Sequence, residues 1–230
     1  PVTDESAISS EALAYLPPSP LESLGDPAFR AHYGVRYAYY TGAMANGIAS
    51  TRLVIALGKA GILSSFGAAG MVPPRLEAAI HEIKAALPDG PYAFNLINSP
   101  NEPAMERAAA ELYLHHGIRT VEASAYVDLT VNLVRYRLAG LRMDPSAKII
   151  AENKVIAKVS RKEVARRFMQ PAPDDLINQL FQEGKISEEQ ARIAHKVPVA
   201  DDVTVEADSG GHTDNRPLVC LMPAMLALRD

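Results

Sequence analysis

Apolar residues in this chain recur in two alternating rhythms. Short runs rich in β-branched and aromatic residues, over 37–44, 62–66, 92–97, 119–124, 155–159 and 203–208, read as strands. Between them lie stretches with helical spacing. The clearest is 74–87, where Leu76, Ile80, Ile83 and Leu87 recur at intervals of four, three and four and make one apolar face. Helices are also predicted over 50–60 behind Ser50, from the capping residues and early proline of 98–103 to Gly117, and over 130–138.

Strands alternating with helices imply parallel pairing through right-handed crossovers, so the fold class is α/β, either a barrel or an open doubly wound sheet. No repeat of solenoid period is present. Residues 1–35, with Pro17-Pro18-Ser19-Pro20, read as a lead-in draped over the surface. One stretch breaks the rhythm. Over 172–195 two helices follow each other with no strand between. Leu176, Ile177, Leu180 and Phe181 form an apolar stripe, Gly184 ends the first helix, and Ser187 with Gln190 makes a capping box for the second. This defines a helical insertion, about 168–197, between the fifth and sixth strands. A lid, a docking surface and an inert packing element all fit it.

Composition narrows the classes. With 230 residues, 48% hydrophobic and 22% charged, the chain has ample material for a core. A net charge of -4 leaves no basic surplus, which excludes nucleic acid as a partner. The single cysteine, Cys220, rules out an intrachain disulfide and suits a reducing compartment; between Val219 and Leu221 it reads as a small buried hydrophobe. No apolar run reaches the ~20 residues that span a bilayer. The first residues are acids and prolines rather than a signal pattern, so the expected location is the cytoplasm, with no membrane partner.

Chemistry-bearing residues gather at predicted strand ends, where α/β folds place their sites. The sixth strand runs through Glu206 to a glycine pair, Gly210 and Gly211, and then His212. Histidine exchanges protons near neutral pH, but histidines in turns are also ordinary surface residues, and the local sequence leaves both readings open. Glu206, Asp208, His212 and Asp214 could also ligate a metal. Against that, the glycines redirect the chain and no matching His or Cys set is evident elsewhere. At the end of the first strand, Gly42, Ala43 and Met44 are small or flexible enough to let a flat ring lie against the backbone; close helix packing explains them equally well.

Asn95 is polar within an apolar strand, and a buried amide needs partners, either a ligand or a neighbouring loop. Lys158 stands in a β-branched strand, where its charge must be met by an anionic cofactor or by a carboxylate such as Glu122 or Glu206. His115 and His116 fit the C-terminal end of a helix dipole. His32, His81 and His195 have no chemical context in the sequence.

Segments 33–39, 42–50, 66–70, 99–103, 122–125 and 157–161, with Glu206 through Ser209-Gly210-Gly211-His212-Thr213-Asp214-Asn215-Arg216 to Leu218, together resemble one family. It is the PfaD-type trans-acting enoyl reductases of polyketide and polyunsaturated fatty acid synthases, within the 2-nitropropane dioxygenase (nitronate monooxygenase) superfamily. The resemblance implies a TIM (β/α)8 barrel with FMN at the C-terminal face of the strands. It implies that Gly42, Ala43, Met44, Asn95, Lys158, Ser209, Gly210 and Gly211 bind the cofactor and that His212 is catalytic.

The activity implied is reduction of an enoyl thioester on acyl carrier protein, with NADPH reducing the flavin. Other synthase components are the implied partners. About six strands are present where the family barrel has eight, so an incomplete barrel is expected over 36–230. The FMN phosphate loops then lie beyond Asp230, in the rest of a longer chain or in a second chain, and a homo-oligomer also fits. A nitronate monooxygenase-like oxidase and a non-catalytic docking subunit are the alternatives.

Overall fold

The computed structural model describes residues 16–207 and 216–229. Its centre is a six-stranded parallel sheet: β1 (Tyr40–Thr41), β2 (Leu63–Phe66), β3 (Ala93–Ile97), β4 (Thr120–Ser124), β7 (Lys154–Val159) and β8 (Asp202–Val205), in the spatial order β1-β2-β3-β4-β7-β8. Helices α2 (Thr51–Lys59), α3 (Pro73–Ala86), α4 (Pro103–His115) and α5 (Val131–Ala139) connect the strands, followed by α6 (Lys162–Phe168) after β7. The predicted boundaries hold to within about three residues, except that the first strand is only two residues long.

Alternation along each strand sorts its side chains to two faces. Phe94, Leu96, Val121, Ala123, Val155, Ala157 and Val159 point outward into the main core with the helices. Leu63, Ala93 and Ile156 point inward, where Tyr33, Val35, Phe29 and Tyr40 join them. The sheet curls. Two strands separate β1 from β4, a flat distance of about 14 Å at normal strand spacing, yet the Tyr40 hydroxyl reaches the Glu122 carboxylate across the interior. The result is the wall of an incomplete TIM barrel, with β1 and β8 as its edges among the described residues.

Caps set several helix starts. The side chains of Ser50 and Thr130 accept from the backbone N–H groups of Leu53 and Leu133 at 3.3 and 3.2 Å. The predicted capping box is present, with Gln190 N donating to Ser187 Oγ and Ser187 N to Gln190 Oε1. It opens α8 (Glu188–Ala194), which pairs with α7 (Asp174–Gln182) as the expected helical hairpin. Ile177, Leu180, Ile193 and Ala194 bury into the main core, while Phe181 stays exposed. Both helices pack against α5.

Three features depart from the sequence reading. The lead-in contains a helix, α1 (Pro27–Tyr33), capped by Asp26 and closed by Gly34 at φ +66°. It packs at the sheet interior, where Tyr33 donates to Asp202 Oδ2 at 2.7 Å. A short antiparallel hairpin, β5 (Leu141–Met143) with β6 (Ile149–Ala151), turns on Asp144, whose Oδ1 accepts from Ser146 and Lys148. Cys220 is exposed, not buried. It lies on α9 (Leu218–Arg229), a helix apolar on all sides that buries Leu221 and Met225 against α6 and β8 and leaves Val219 and Leu226 outward.

Two charged groups are enclosed in this frame. Arg137 on α5 donates to both carboxylate oxygens of Asp201, at 2.8 and 3.1 Å, and to the carbonyl of Asn153 at 2.7 Å. It thereby joins the helix layer to the starts of β7 and β8. Arg137→Ala leaves Asp201 without its counter-charge and is expected to cost about 3–5 kcal/mol in chemical denaturation; a loss under about 1 kcal/mol, the scale of a surface pair, would refute the bridging role.

Glu106, in the first turn of α4, accepts from Tyr126 Oη at 3.1 Å and from Thr130 Oγ1. Burial holds its carboxyl above the usual range, against the opposing pull of those two bonds. Below about pH 4 both folded and unfolded states hold the proton and no penalty exists. As pH rises through the raised folded pKa, the unfolded state binds fewer protons and stability is lost. Unfolding free energies measured against pH should therefore fall relative to Glu106→Gln on the alkaline side of that window; parallel curves would contradict this.

Candidate active site

Inward-facing positions change from apolar to polar toward the C-terminal ends of the strands. Glu122 on β4 is fully buried. A carboxylate there is tolerable only if donors and a cation surround it. Tyr40 supplies a hydroxyl, and the backbone N–H of Ala43 lies 3.0 Å from Oε2 and 3.3 Å from Oε1. Lys158 on β7 places its ammonium 3.0 Å from Oε1. Glu206, just past β8, stands 3.9 Å from the same ammonium. Burial, and then the charge of Glu122, hold the Tyr40 phenol far above its usual pKa, so its hydroxyl remains a donor.

Lys158 is thus paired with carboxylates of this chain, one of the two readings open for it. Its ammonium also borders a cavity of about 240 Å³ formed with Ala125, Tyr126, Val127, Ser160 and Arg161. Asn95 likewise finds partners within the sheet: its amide donates to the carbonyl of Glu122 at 3.1 Å and to Ser124 Oγ at 2.6 Å. It ties β3 to β4 and borders a second, smaller cavity of about 50 Å³ beside Ala68, Ala69 and Gly70.

The loop carrying Gly42, Ala43 and Met44 is held by the end of β2. Asn46 and Gly47 donate to the carbonyls of Ala69 and Gly67 at 2.8 Å, and Gly67 donates back to Ala49 at 3.0 Å. A side chain at position 67 would begin 1.6 Å from the Met44 carbonyl, so only glycine permits this approach. Gly42 is also crowded, since a Cβ there would lie 3.2 Å from Glu122 Oε2. The side chain of Met44 is half exposed at the rim.

Gly42, Ala43, Met44, Asn95 and Lys158 are therefore brought together around Glu122. Ser209, Gly210, Gly211 and His212 lie outside the described residues, as do Asp208 and Asp214. The chain leaves β8 at this same end of the sheet, where Glu206 N donates to the Val159 carbonyl at 2.8 Å. Sequence reasoning missed Tyr40 as a site residue and treated Glu122 only as one possible partner for Lys158. The signal was present: period-two alternation puts Glu122 and Lys158 on the inward face of neighbouring strands, paired as Glu122 opposite Ile156.

No protein-family model matches the chain. It is 48% identical over 223 residues to a polyunsaturated fatty acid synthase component of Thraustochytrium sp. (strain ATCC 26185 / S-3), covering 97% of this chain and 15% of that protein. Another component of a polyunsaturated fatty acid synthase from the same organism is 50% identical over 222 residues, which are 96% of this chain and 11% of that protein. The polyketide biosynthesis protein ThaF of Burkholderia thailandensis is 44% identical over 92% of this chain and 18% of its own length. The chain thus spans less than a fifth of each of these curated relatives.

Among solved structures, the enoyl reductase domain of MlnA, from the macrolactin biosynthesis cluster of Bacillus amyloliquefaciens, superposes with a TM-score of 0.87 at 39% identity. That match covers 92% of this chain and 48% of the other. FabK from Thermotoga maritima shares the fold, with a TM-score of 0.56 at 20% identity over 87% of this chain and 50% of its own. The chain is a homologue of segments of polyunsaturated fatty acid synthase components and a polyketide biosynthesis protein, built on the fold of an enoyl reductase domain.

Proposed function

We propose that this chain is part of an FMN-dependent enoyl reductase that acts in trans on α,β-unsaturated thioesters carried by acyl carrier protein, with NADPH as reductant. The observation that carries the reading is the likeness to the MlnA enoyl reductase domain, at 39% identity over 92% of the chain. The synthase components among its relatives support a place beside other parts of a synthase, and the cytoplasm is the location this reading assigns.

The residues present fit a flavin. At Gly42 a Cβ would crowd the Glu122 carboxylate at 3.2 Å, and glycine there leaves the backbone bare for a flat ring. Lys158 offers a cation at the edge of a cavity of about 240 Å³, held there by the Glu122 carboxylate at 3.0 Å and with Glu206 at 3.9 Å. FMN, when bound, supplies the hydride chemistry. In this reading Gly42, Ala43 and Met44 wall the ring, Asn95 and Lys158 contact its polar edge, and Ser209, Gly210 and Gly211 approach it through backbone amides. Glu122 and Tyr40 fix the Lys158 ammonium in place. His212 delivers a proton to the α-carbon of the thioester or donates to its carbonyl.

Purified full-length protein is expected to show a flavin spectrum near ~450 nm and to reduce a crotonyl thioester of acyl carrier protein with NADPH. Turnover of a nitronate instead of the thioester would assign a nitronate monooxygenase-like oxidase, and a colourless protein would assign a docking or structural role. His212→Ala should keep the flavin and lose about 10²–10⁴-fold in turnover; unchanged turnover removes the catalytic role. Lys158→Met should weaken flavin retention and destabilise the fold by about 3–5 kcal/mol, because Glu122 loses its counter-charge. Adding Glu122→Gln should restore the stability but not the flavin. Retention of flavin by both variants would take Lys158 out of the cofactor site.

A further inference from the structure

On the outer helix layer, away from the Glu122 network, three metal-binding side chains converge. Glu77 and His81 stand four residues apart on α3, a spacing that puts both on one face of the helix. His116, at the C-terminal cap of α4, faces them. The Glu77 carboxylate lies 2.9 Å from His116 Nε2, and the His81 and His116 rings meet edge to face with centroids 4.9 Å apart. One ligand atom from each of the three lies within 4.8 Å of the others.

We infer that Glu77, His81 and His116 form a divalent transition-metal site, of the class that takes Zn²⁺, which clips α3 to α4. Two imidazoles and one carboxylate are the donor set borderline divalent cations prefer. Ligand atoms around tetrahedral zinc are about 3.4 Å apart at bond lengths near 2.1 Å, so the widest separation, within 4.8 Å, must close by up to about 1.4 Å. His81 is exposed and can supply that movement by a change of rotamer. His116 is already oriented: its side chain is only 12% exposed, and its carbonyl is held by the Lys84 ammonium. That ammonium is the opposing charge nearby, but its bond to the carbonyl keeps it occupied. Three protein ligands leave a fourth position for water.

The test is titration of the full-length protein with Zn²⁺ at about pH 7.5, where free imidazole is neutral, read by calorimetry and by thermal unfolding. His81→Ala and Glu77→Gln are suitable variants, because neither side chain is buried. Each is expected to lose one equivalent of Zn²⁺, or to bind it at least about tenfold more weakly. Each should also lose the zinc-dependent rise in unfolding temperature. Metal-free variants should match the parent in circular dichroism. A stoichiometry and thermal shift unchanged by both substitutions would overturn the site and leave Glu77–His116 as an ordinary ion pair.

Discussion

A carboxylate with no access to water sits inside the strand wall, and much of the architecture is arranged around it. Its burial is tolerable because Tyr40 and the Ala43 amide from one segment and Lys158 from another converge on Glu122. Those contacts oblige β1 to curl toward β4 and hold the loop after β1 against the sheet. They also align β7 so that its lysine faces inward at the C-terminal end.

The outer layer obeys a simpler constraint. A parallel sheet must be covered on the face opposite its barrel interior, and α2 to α6 do so with near-continuous apolar packing. A deeply enclosed cation there, Arg137, is matched to Asp201 with two-pronged geometry. It links the helical hairpin's exit to the start of β8. The hairpin itself therefore belongs to the packed layer through Ile177, Leu180 and Ile193, although Phe181 and the outward residues of α9 leave apolar surface facing solvent among the described residues.

The contacts around Glu122 and between the two rim loops bear on the proposed chemistry by rigidity rather than by contact alone. A cation meant to meet an anionic or electron-rich group must not swing, and Glu122 removes that freedom from Lys158. Likewise, the double exchange of backbone hydrogen bonds between 46–49 and 67–69 fixes the rim that carries Met44. Only glycine at 67 lets the two loops approach so closely.

The positions of the six parallel strands, most of the helices between them, the capping box at Ser187 and the inserted hairpin were legible in the sequence, because they follow from local periodicity and caps. The gathering of Gly42, Asn95 and Lys158 at one end of the sheet follows from strand direction alone. What local patterns could not carry was any pairing between distant segments. The short helix α1 and the hairpin β5–β6 are too brief to show a period, and they persist because Tyr33 meets Asp202 and Gln190 donates to Ala139 and Leu141. His81 and His116 lie far apart in the chain, and only the packing of α3 on α4 brings them into one cluster. The choice of Glu122 for Lys158 was likewise tertiary: the sequence demanded some anion for a buried lysine, and the register of β7 between β4 and β8 decided which carboxylate was within 3.0 Å.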